Sequence, residues 1–466
     1  MSADTIVVIA TAAGRGAVGI VRVSGPATGL IMMAVCGRRL SPRTATRLSF
    51  LDGQGQSIDD GIAIFFPGPH SYTGEDVLEL QGHGGTGVMS ALLKRCLRVQ
   101  PSEDDGQGSR IRLAEPGEFT QRAFLNDKLD LAQAEAVADL INAGSERAAR
   151  SALASLQGRF SDLVHSLVAK LTDLRVRVEA CLDFPEEDLE FIEREEVSKR
   201  LTEILALHQD ISHGAQQGAV LRDGLRVVLV GAPNVGKSSL LNALAGEEVA
   251  LVTDIAGTTR DRIVQEVLLE GLSVHMIDTA GLRETQDEVE RLGIARTWAE
   301  IERAQVVLLL RDATARVAID RIFENEVLAR APSGCSVIEV VNKSDLLVSQ
   351  DVLPALEGDE RVVASRILIS AKTGFGLSEL RQQLLTAAGL VGESSVGIFS
   401  ARTRHLQALV AARLALHQAA EHLRQRELEL LAEGLRQAQQ ALTAITGEFS
   451  ADDLLGEIFG SFCIGK

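Results

Sequence analysis

The sequence predicts a multidomain α/β and α protein: an N-terminal α+β domain, a helical domain in two separated pieces, and a P-loop α/β domain inserted between them. Three observations carry this reading. At 466 residues the chain exceeds what one hydrophobic core holds, and domains of ordinary size would number about three. Strand-like runs punctuated by glycine and proline fill the first quarter, whereas from Leu129 onward apolar residues recur at spacings of three and four. Between two such helical stretches an apolar run over residues 225–230 leads into Gly231-Ala232-Pro233-Asn234-Val235-Gly236-Lys237-Ser238, the strand–loop–helix signature of a phosphate-binding loop.

The first domain, residues 1–125, is expected to hold strands at 5–10, 19–23, 61–66 and 77–80, then a helix at 88–99. The polar stretch 101–109 reads as a surface loop. The first piece of the helical domain is expected at 126–220. There Leu153, Leu156, Phe160, Leu163, Leu167, Leu171, Leu174, Val178 and Cys181 make one apolar face, read as a single long helix ending before Pro185. A second helix is expected at 195–211, broken by Gly214 and Gly218. The P-loop domain takes 221–385, and the second helical piece takes 386–466. That piece has one helix over 402–444, marked by Leu406, Leu409, Leu416, Ala420 and Leu423. Helices of this length need partners for their apolar stripes, so the two pieces are expected to pack together.

Composition narrows the function classes. Net charge is −17, so the surface as a whole repels nucleic acid, and such a partner must meet a local basic patch. One Trp and one Tyr disfavour a broad base-stacking platform. The five cysteines, Cys36, Cys96, Cys181, Cys335 and Cys463, contain no C-x-x-C pair. They fit neither a disulfide framework nor a zinc site, and the first four read as small buried hydrophobes. Cys463 opens the final Cys463-Ile464-Gly465-Lys466, a poor prenylation box. No signal-like start and no apolar run of about 18 residues is present; a cytoplasmic protein without a membrane partner is expected.

The chemistry gathers at strand ends. The loop glycines let backbone N–H groups close on phosphates, Lys237 reaches the β and γ oxygens, Ser238 ligates Mg²⁺, and Ser239 continues the helix start. A run over 273–277 ends in Asp278-Thr279-Ala280-Gly281; an acid there holds the metal through water, and the glycine admits the γ-phosphate. A run over 336–341 ends in Asn342-Lys343-Ser344-Asp345. Asp345 can accept from the N1 and N2 donors of guanine, which adenine lacks, while Lys343 lies over the base. A run over 366–369 ends in Ser370-Ala371-Lys372, whose backbone N–H can meet guanine O6. Four motifs in this order specify GTP. One gap remains: Leu282 follows Gly281 where many GTPases place a water-orienting Gln.

Further motifs accompany these: Gly14-Arg15-Gly16, Gly19-Ile20-Val21-Arg22, Tyr72-Thr73-Gly74-Glu75-Asp76-Val77, Gly82-His83-Gly84-Gly85, Ala114-Glu115-Pro116-Gly117-Glu118-Phe119 and Asn126-Asp127-Lys128-Leu129-Asp130. With the terminal Cys-Ile-Gly-Lys, the chain resembles the MnmE (TrmE) family of tRNA-modification GTPases over essentially its whole length. The resemblance implies an N-terminal folate-binding and dimerisation domain, a discontinuous helical domain and an inserted, Ras-like P-loop GTPase domain. It implies a homodimer that works with the flavoprotein MnmG/GidA, FAD entering only through that partner. Together they add a carboxymethylaminomethyl-type group to C5 of the wobble uridine, U34, of certain tRNAs.

The resemblance also implies potassium activation. Asn234 would ligate K⁺ together with Thr253, Ile255 and Thr258 of Thr253-Asp254-Ile255-Ala256-Gly257-Thr258-Thr259, and Thr259 would join Ser238 on Mg²⁺. A fixed cation beside the β and γ phosphates neutralises developing charge as a guanidinium would. Glu290 takes the water-positioning role. Arg22, Glu79 and Lys128 match positions that hold 5-formyl-tetrahydrofolate or a related tetrahydrofolate, and Cys463 is the candidate reactive thiol, with Lys466 its electropositive neighbour. Read without the family, these residues are plainer. Glu290 is a solvated carboxylate in an acidic run, Asn234 a turn residue, Arg22, Glu79 and Lys128 ordinary surface charges, and Cys463 a packing residue. A second class of function stays open: a GTPase switch in ribosome or RNA assembly without modification chemistry.

Overall fold

The computed structural model describes residues 4–100, 110–183, 192–246, 264–278, 298–314, 321–347, 365–391, 397–447, 460 and 462. The chain divides into two compact units, Met1–Ala138 with Ser155–Glu187 and Leu414–Lys466, and Asp139–Ala154 with Asp188–Arg413.

In the first unit β1 (Thr5–Ile9), β2 (Val18–Ser24), β3 (Thr46–Leu51), β4 (Ser57–Phe66), β5 (Val77–His83) and β6 (Ile111–Leu113) form a sheet in the order β3-β4-β5-β2-β1-β6. Neighbours are antiparallel except β1 and β6. Alternation along β2 sends Val21 and Val23 inward and leaves Ile20 and Arg22 on the other face. Helices Thr28–Cys36 and Thr86–Leu97 cover the inward face, pressing Ile31, Val35, Met89 and Leu92 onto Val21, Leu78 and Leu80. Cys36 and Cys96 lie in this core, and burial pushes both thiols up to about 12, so they act as small hydrophobes as expected. Cys181 and Cys335 are only half-buried, contrary to expectation. Helix Arg159–Asp183 packs along helix Leu428–Thr446, where the Arg175 guanidinium donates to Gln439 Oε1 at 2.6 Å. Residues before and after the P-loop segment therefore do share a helical interface.

In the second unit β7 (Leu225–Gly231), β8 (Val264–Leu269), β9 (Leu272–Asp278), β10 (Val306–Asp312), β11 (Ser336–Asn342) and β12 (Ser365–Leu368) form a sheet ordered β12-β11-β10-β7-β9-β8. All pairs are parallel except β8 with β9. Apolar residues cover both faces: Leu240, Leu244, Leu380 and Leu384 on one, Ile301, Ala304 and Val327 on the other. Such double coverage is why the inner strands read as nearly unbroken apolar runs. The four strands expected in this domain are present; β10, with the run Val-Val-Leu-Leu-Leu, and β8 were not expected. In the first unit β3 and β6 are likewise additional.

Three helical expectations are corrected. The apolar face from Leu153 to Cys181 belongs to two helices, Glu146–Leu156 and Arg159–Asp183, because the chain turns at Gln157 and Gly158. The spacing of three and four continues across this turn, so the pattern alone hides it. The helix expected over 402–444 is also two, Thr403–Gln425 and Leu428–Thr446, separated at Arg426 with φ 64. Conversely, Gly214 and Gly218 do not break their helix, which runs unbroken over Ile192–Asp223. They permit contact instead. A Cβ on Gly218 would overlap the carbonyl oxygen of Phe399, and one on Gly214 would press on the Phe399 ring at 3.0 Å. Earlier in the same helix, His208 Nε2 donates to the Leu409 carbonyl at 2.9 Å within the same unit. Gly218→Ala should therefore destabilise this unit by about 1–3 kcal/mol through overpacking, read as a lowered urea midpoint; an unchanged midpoint would show that the contact yields freely.

Candidate functional site

The carboxyl ends of parallel strands in an open α/β sheet are where its loops converge. β7 passes through Gly231 into the loop that opens helix Lys237–Ala245. Gly236 caps this helix with φ 101, and a Cβ there would overlap Asn342 Nδ2, so both conformation and space demand glycine. Asn234 holds φ 61, a left-handed turn that asparagine tolerates. The first helical turn carries no acid and no side-chain cap, leaving its N–H groups and the positive end of the helix dipole for an anion. Lys237 Nζ donates to the Gly231 carbonyl at 2.8 Å, inside the loop, while Ser238 and Ser239 are exposed at its rim.

Asn342 ends β11 and is 2% exposed. Its Nδ2 donates to the Val235 carbonyl at 3.0 Å, and its Oδ1 accepts from the Ala371 N–H at 3.0 Å. One carboxamide thus ties the loops after β7, β11 and β12. Lys343, with φ 67, donates from Nζ to the Asn234 carbonyl at 2.8 Å and to Asp312 Oδ2 at 2.6 Å. Asp345 is exposed and accepts from Ser370 Oγ at 2.7 Å; that hydroxyl in turn accepts from the Thr373 N–H at 3.2 Å. This bond holds the exposed aspartate through Oδ1. Lys372 is exposed beside it, and Asp278 ends β9 half-buried.

Asp312 was not expected. It closes β10 and pairs with Lys343. Burial pushes its carboxyl up, but hydrogen bonds from Lys343 and Thr314 outweigh that and hold it below the usual carboxylate range. The apolar run before Arg311-Asp312 was the available signal, being a buried parallel strand with an acid at its carboxyl end.

On the open face of the first sheet Arg22 and Glu79 are direct cross-strand partners, joined at 2.8 and 2.9 Å. The Arg22 guanidinium lies 5.9 Å from the Tyr72 ring centroid and 5.8 Å from that of Phe119. Lys128 is exposed, and its stem packs on Gly74 of the loop that carries Tyr72. Among the described residues no hydrogen bond joins it to Arg22 or Glu79. Thr253, Asp254, Ile255, Ala256, Gly257, Thr258, Thr259, Thr279, Ala280, Gly281, Glu290, Cys463 and Lys466 lie outside the described residues.

Two family profiles cover the chain: "GTP-binding protein TrmE N-terminus" matches residues 5–128, and "MnmE helical domain" matches residues 131–463. The chain belongs to the MnmE (TrmE) family. A Burkholderia cenocepacia protein named tRNA modification GTPase MnmE is 56% identical over 99% of both chains. The MnmE of Ralstonia nicotianae is 55% identical over 99% of this chain and 96% of its own. Among solved structures, Aquifex aeolicus Era Y63A bound to GDP·AlF4⁻ is 28% identical over 41% of this chain and 66% of its own, with a TM-score of 0.28, too low to bear on function. No described helix of this MnmE-family chain is long and apolar enough to cross a membrane.

Two outcomes follow from the site's hydrogen bonds. Asn342→Ala strands the buried Val235 carbonyl and the half-buried Ala371 N–H, and should destabilise the second unit by about 1–3 kcal/mol in urea titration; a loss under half that would mean water replaces the amide. The folded Asp312 carboxyl titrates below its unfolded value, so its pairing stabilises fully above the ordinary carboxylate range and is lost as pH falls through the lowered pKa. The melting temperature should drop in a step below about pH 4, and Asp312→Asn should remove that step; an unchanged acid profile would contradict the pairing.

Proposed function

We propose that this chain is a potassium-activated GTPase of tRNA modification, with the nucleotide held at the carboxyl ends of β7, β9, β11 and β12. The observation that carries the reading is the Asn342 carboxamide bridging Val235 and Ala371. It ties the phosphate loop to the loop whose Ser370 holds the exposed Asp345. Backbone N–H groups of Val235, Gly236, Lys237 and Ser238 cradle the phosphates, and Lys237 moves from the Gly231 carbonyl to the β and γ oxygens. Asp345 accepts from the guanine N1 and N2 donors, Lys343 lies along the base, and the Ala371 and Lys372 loop meets O6. The Gly236 cradle and an acid-free helix start suit a triphosphate with its metal. Mg²⁺ on Ser238 and Thr259, with Asp278 behind water, and K⁺ on Asn234, Thr253, Ile255 and Thr258 would supply the charge that stabilises phosphoryl transfer. Glu290 positions the attacking water.

The modification half rests on family membership and on the aromatic-flanked Arg22–Glu79 pair. That pair presents donors and an acceptor side by side in a half-buried, aromatic-flanked position, a match for the polar edge of a pterin. A tetrahydrofolate there would supply a one-carbon unit; Lys128 and Cys463 with Lys466 complete that site. The chain works as a homodimer with the flavoprotein MnmG/GidA on U34 of tRNA in the cytoplasm. Its domains divide near residues 125, 220 and 385.

GTP turnover should be faster in KCl than in NaCl, and Asn234→Ala should erase the difference; equal rates in both salts for the native protein would exclude potassium activation. Lys237→Ala should weaken GTP binding by roughly a hundredfold or more, given the strength of charge-assisted contacts to phosphate. Nucleoside analysis of tRNA from a deletion strain carrying this gene tests the modification half, and complementation without C5-modified uridine would leave only the GTPase.

A further inference from the structure

Net charge is −17, yet there is no Asp or Glu between Gly25 and Leu51, nor between Leu80 and Gln100. These stretches hold helices Thr28–Cys36 and Thr86–Leu97, which cover one face of the first sheet. Arg95 fastens their C-terminal ends together, donating to the Ala34 carbonyl at 2.9 Å and the Leu51 carbonyl at 3.2 Å. Arg38 and Arg39 follow where the first helix stops at Gly37, and Lys94 and Arg98 lie one turn apart at the end of the second. All four are exposed, and among the described residues none has an acidic partner.

Positive charge at a helix C-terminus offsets the macrodipole, which accounts for one cation per helix. It does not account for four cations without an acidic partner among the described residues, on two stretches that carry no acid at all. Elsewhere on the same chain four helical arginines each meet an acid within one turn: Arg150 with Glu146, Arg177 with Asp173, Arg200 with Glu196, Arg436 with Glu433. An acidic protein that binds a polyanion must concentrate its attraction in one place and keep carboxylates away from it.

We infer that the joined C-terminal ends of these two helices dock the phosphate backbone of the RNA substrate, with Arg38, Arg39, Lys94 and Arg98 each meeting phosphate. The inference rests on the reading that the chain acts on tRNA. A curved RNA helix can touch this patch alone, whereas an extended sheet of anionic lipid would also face the acidic remainder of the surface. The contact carries no sequence information, because phosphates position and bases specify.

The test is fluorescence anisotropy of full-length protein with an unmodified tRNA transcript over a KCl series. The Arg38→Gln, Arg39→Gln, Lys94→Gln, Arg98→Gln variant should bind roughly tenfold to a hundredfold more weakly near 0.15 M salt, with a slope of log affinity against log salt shallower by about three. Its GTP turnover without tRNA should match the native rate, since none of the four belongs to the nucleotide site. Equal affinity and slope for variant and native protein would overturn the patch while leaving the tRNA reading intact. Failure of the native protein to bind tRNA at any salt, with GTP turnover normal, would instead remove the reading beneath it. Variant-sensitive binding to phosphatidylglycerol vesicles, with tRNA binding unaffected, would reassign the patch to a membrane surface and overturn the proposal.

Discussion

A single buried carboxamide holds the carboxyl edge of the second sheet together. Asn342 donates into the loop after β7 and accepts from the loop after β12, so three loops distant in sequence share one side chain. The bond to the Val235 carbonyl is buried, and leaving that carbonyl unpaired would cost its desolvation. Lys343 adds an ionic link on the same edge, tying the Asn234 carbonyl to Asp312. The groups that would grip a triphosphate and those that would read its base are thus set by one network, and a nucleotide need not order them on arrival.

The nucleotide half of this arrangement was legible in the sequence because its chemistry is local. A glycine with φ 101 beside a lysine at a helix start, and an asparagine, lysine and aspartate at a strand end, are dictated by short-range geometry. The links between motifs were not legible. Asp312 pairs with Lys343 across two neighbouring strands, and only the sheet order brings them together. Arg22 and Glu79, 57 residues apart, read as separate surface charges until strand pairing makes them one ion pair. Helix boundaries failed for the opposite reason. The stripe from Leu153 to Cys181 repeats across the turn at Gly158, while Gly214 and Gly218 look like breaks yet serve close approach to Phe399. A composition rule sees glycine's freedom and misses the neighbour that needs its smallness.

The N-terminal motifs were legible only as a resemblance, and the structure gives them a physical reason. Arg122, 4% exposed, donates to Glu118 at 2.9 Å and to Glu75 at 3.0 Å. Glu118 also accepts from Arg112 at 2.7 Å, and Glu75 accepts from Ser24 Oγ at 2.7 Å. Opposing burial, these arginine bonds hold the Glu118 carboxyl below the usual carboxylate range. The network binds the Tyr72–Val77 and Ala114–Phe119 segments to each other beneath the Arg22–Glu79 face. Removing one member would leave a buried charge without its partner, the costly way to break an ion network. These motif residues therefore have a structural role of their own in closing the ion network.

The same logic extends from the site into the scaffold of the second unit. Helix Ile192–Asp223 joins β7 through Gly224 alone, and His275 of β9 donates from Nε2 to the Asp223 carbonyl at 3.0 Å. β7, whose far end carries Gly231, is therefore anchored at its near end to the last turn of one 32-residue helix, and β9, which ends in Asp278, is tied to the same turn at its midpoint. A flexible linker would absorb motion at this junction; one residue and a hydrogen bond cannot. A shift of the phosphate loop along β7, or of the Asp278 segment along β9, acts on the helix end directly. The helix and the strand edge that carries the site are thus one continuous piece of the second unit.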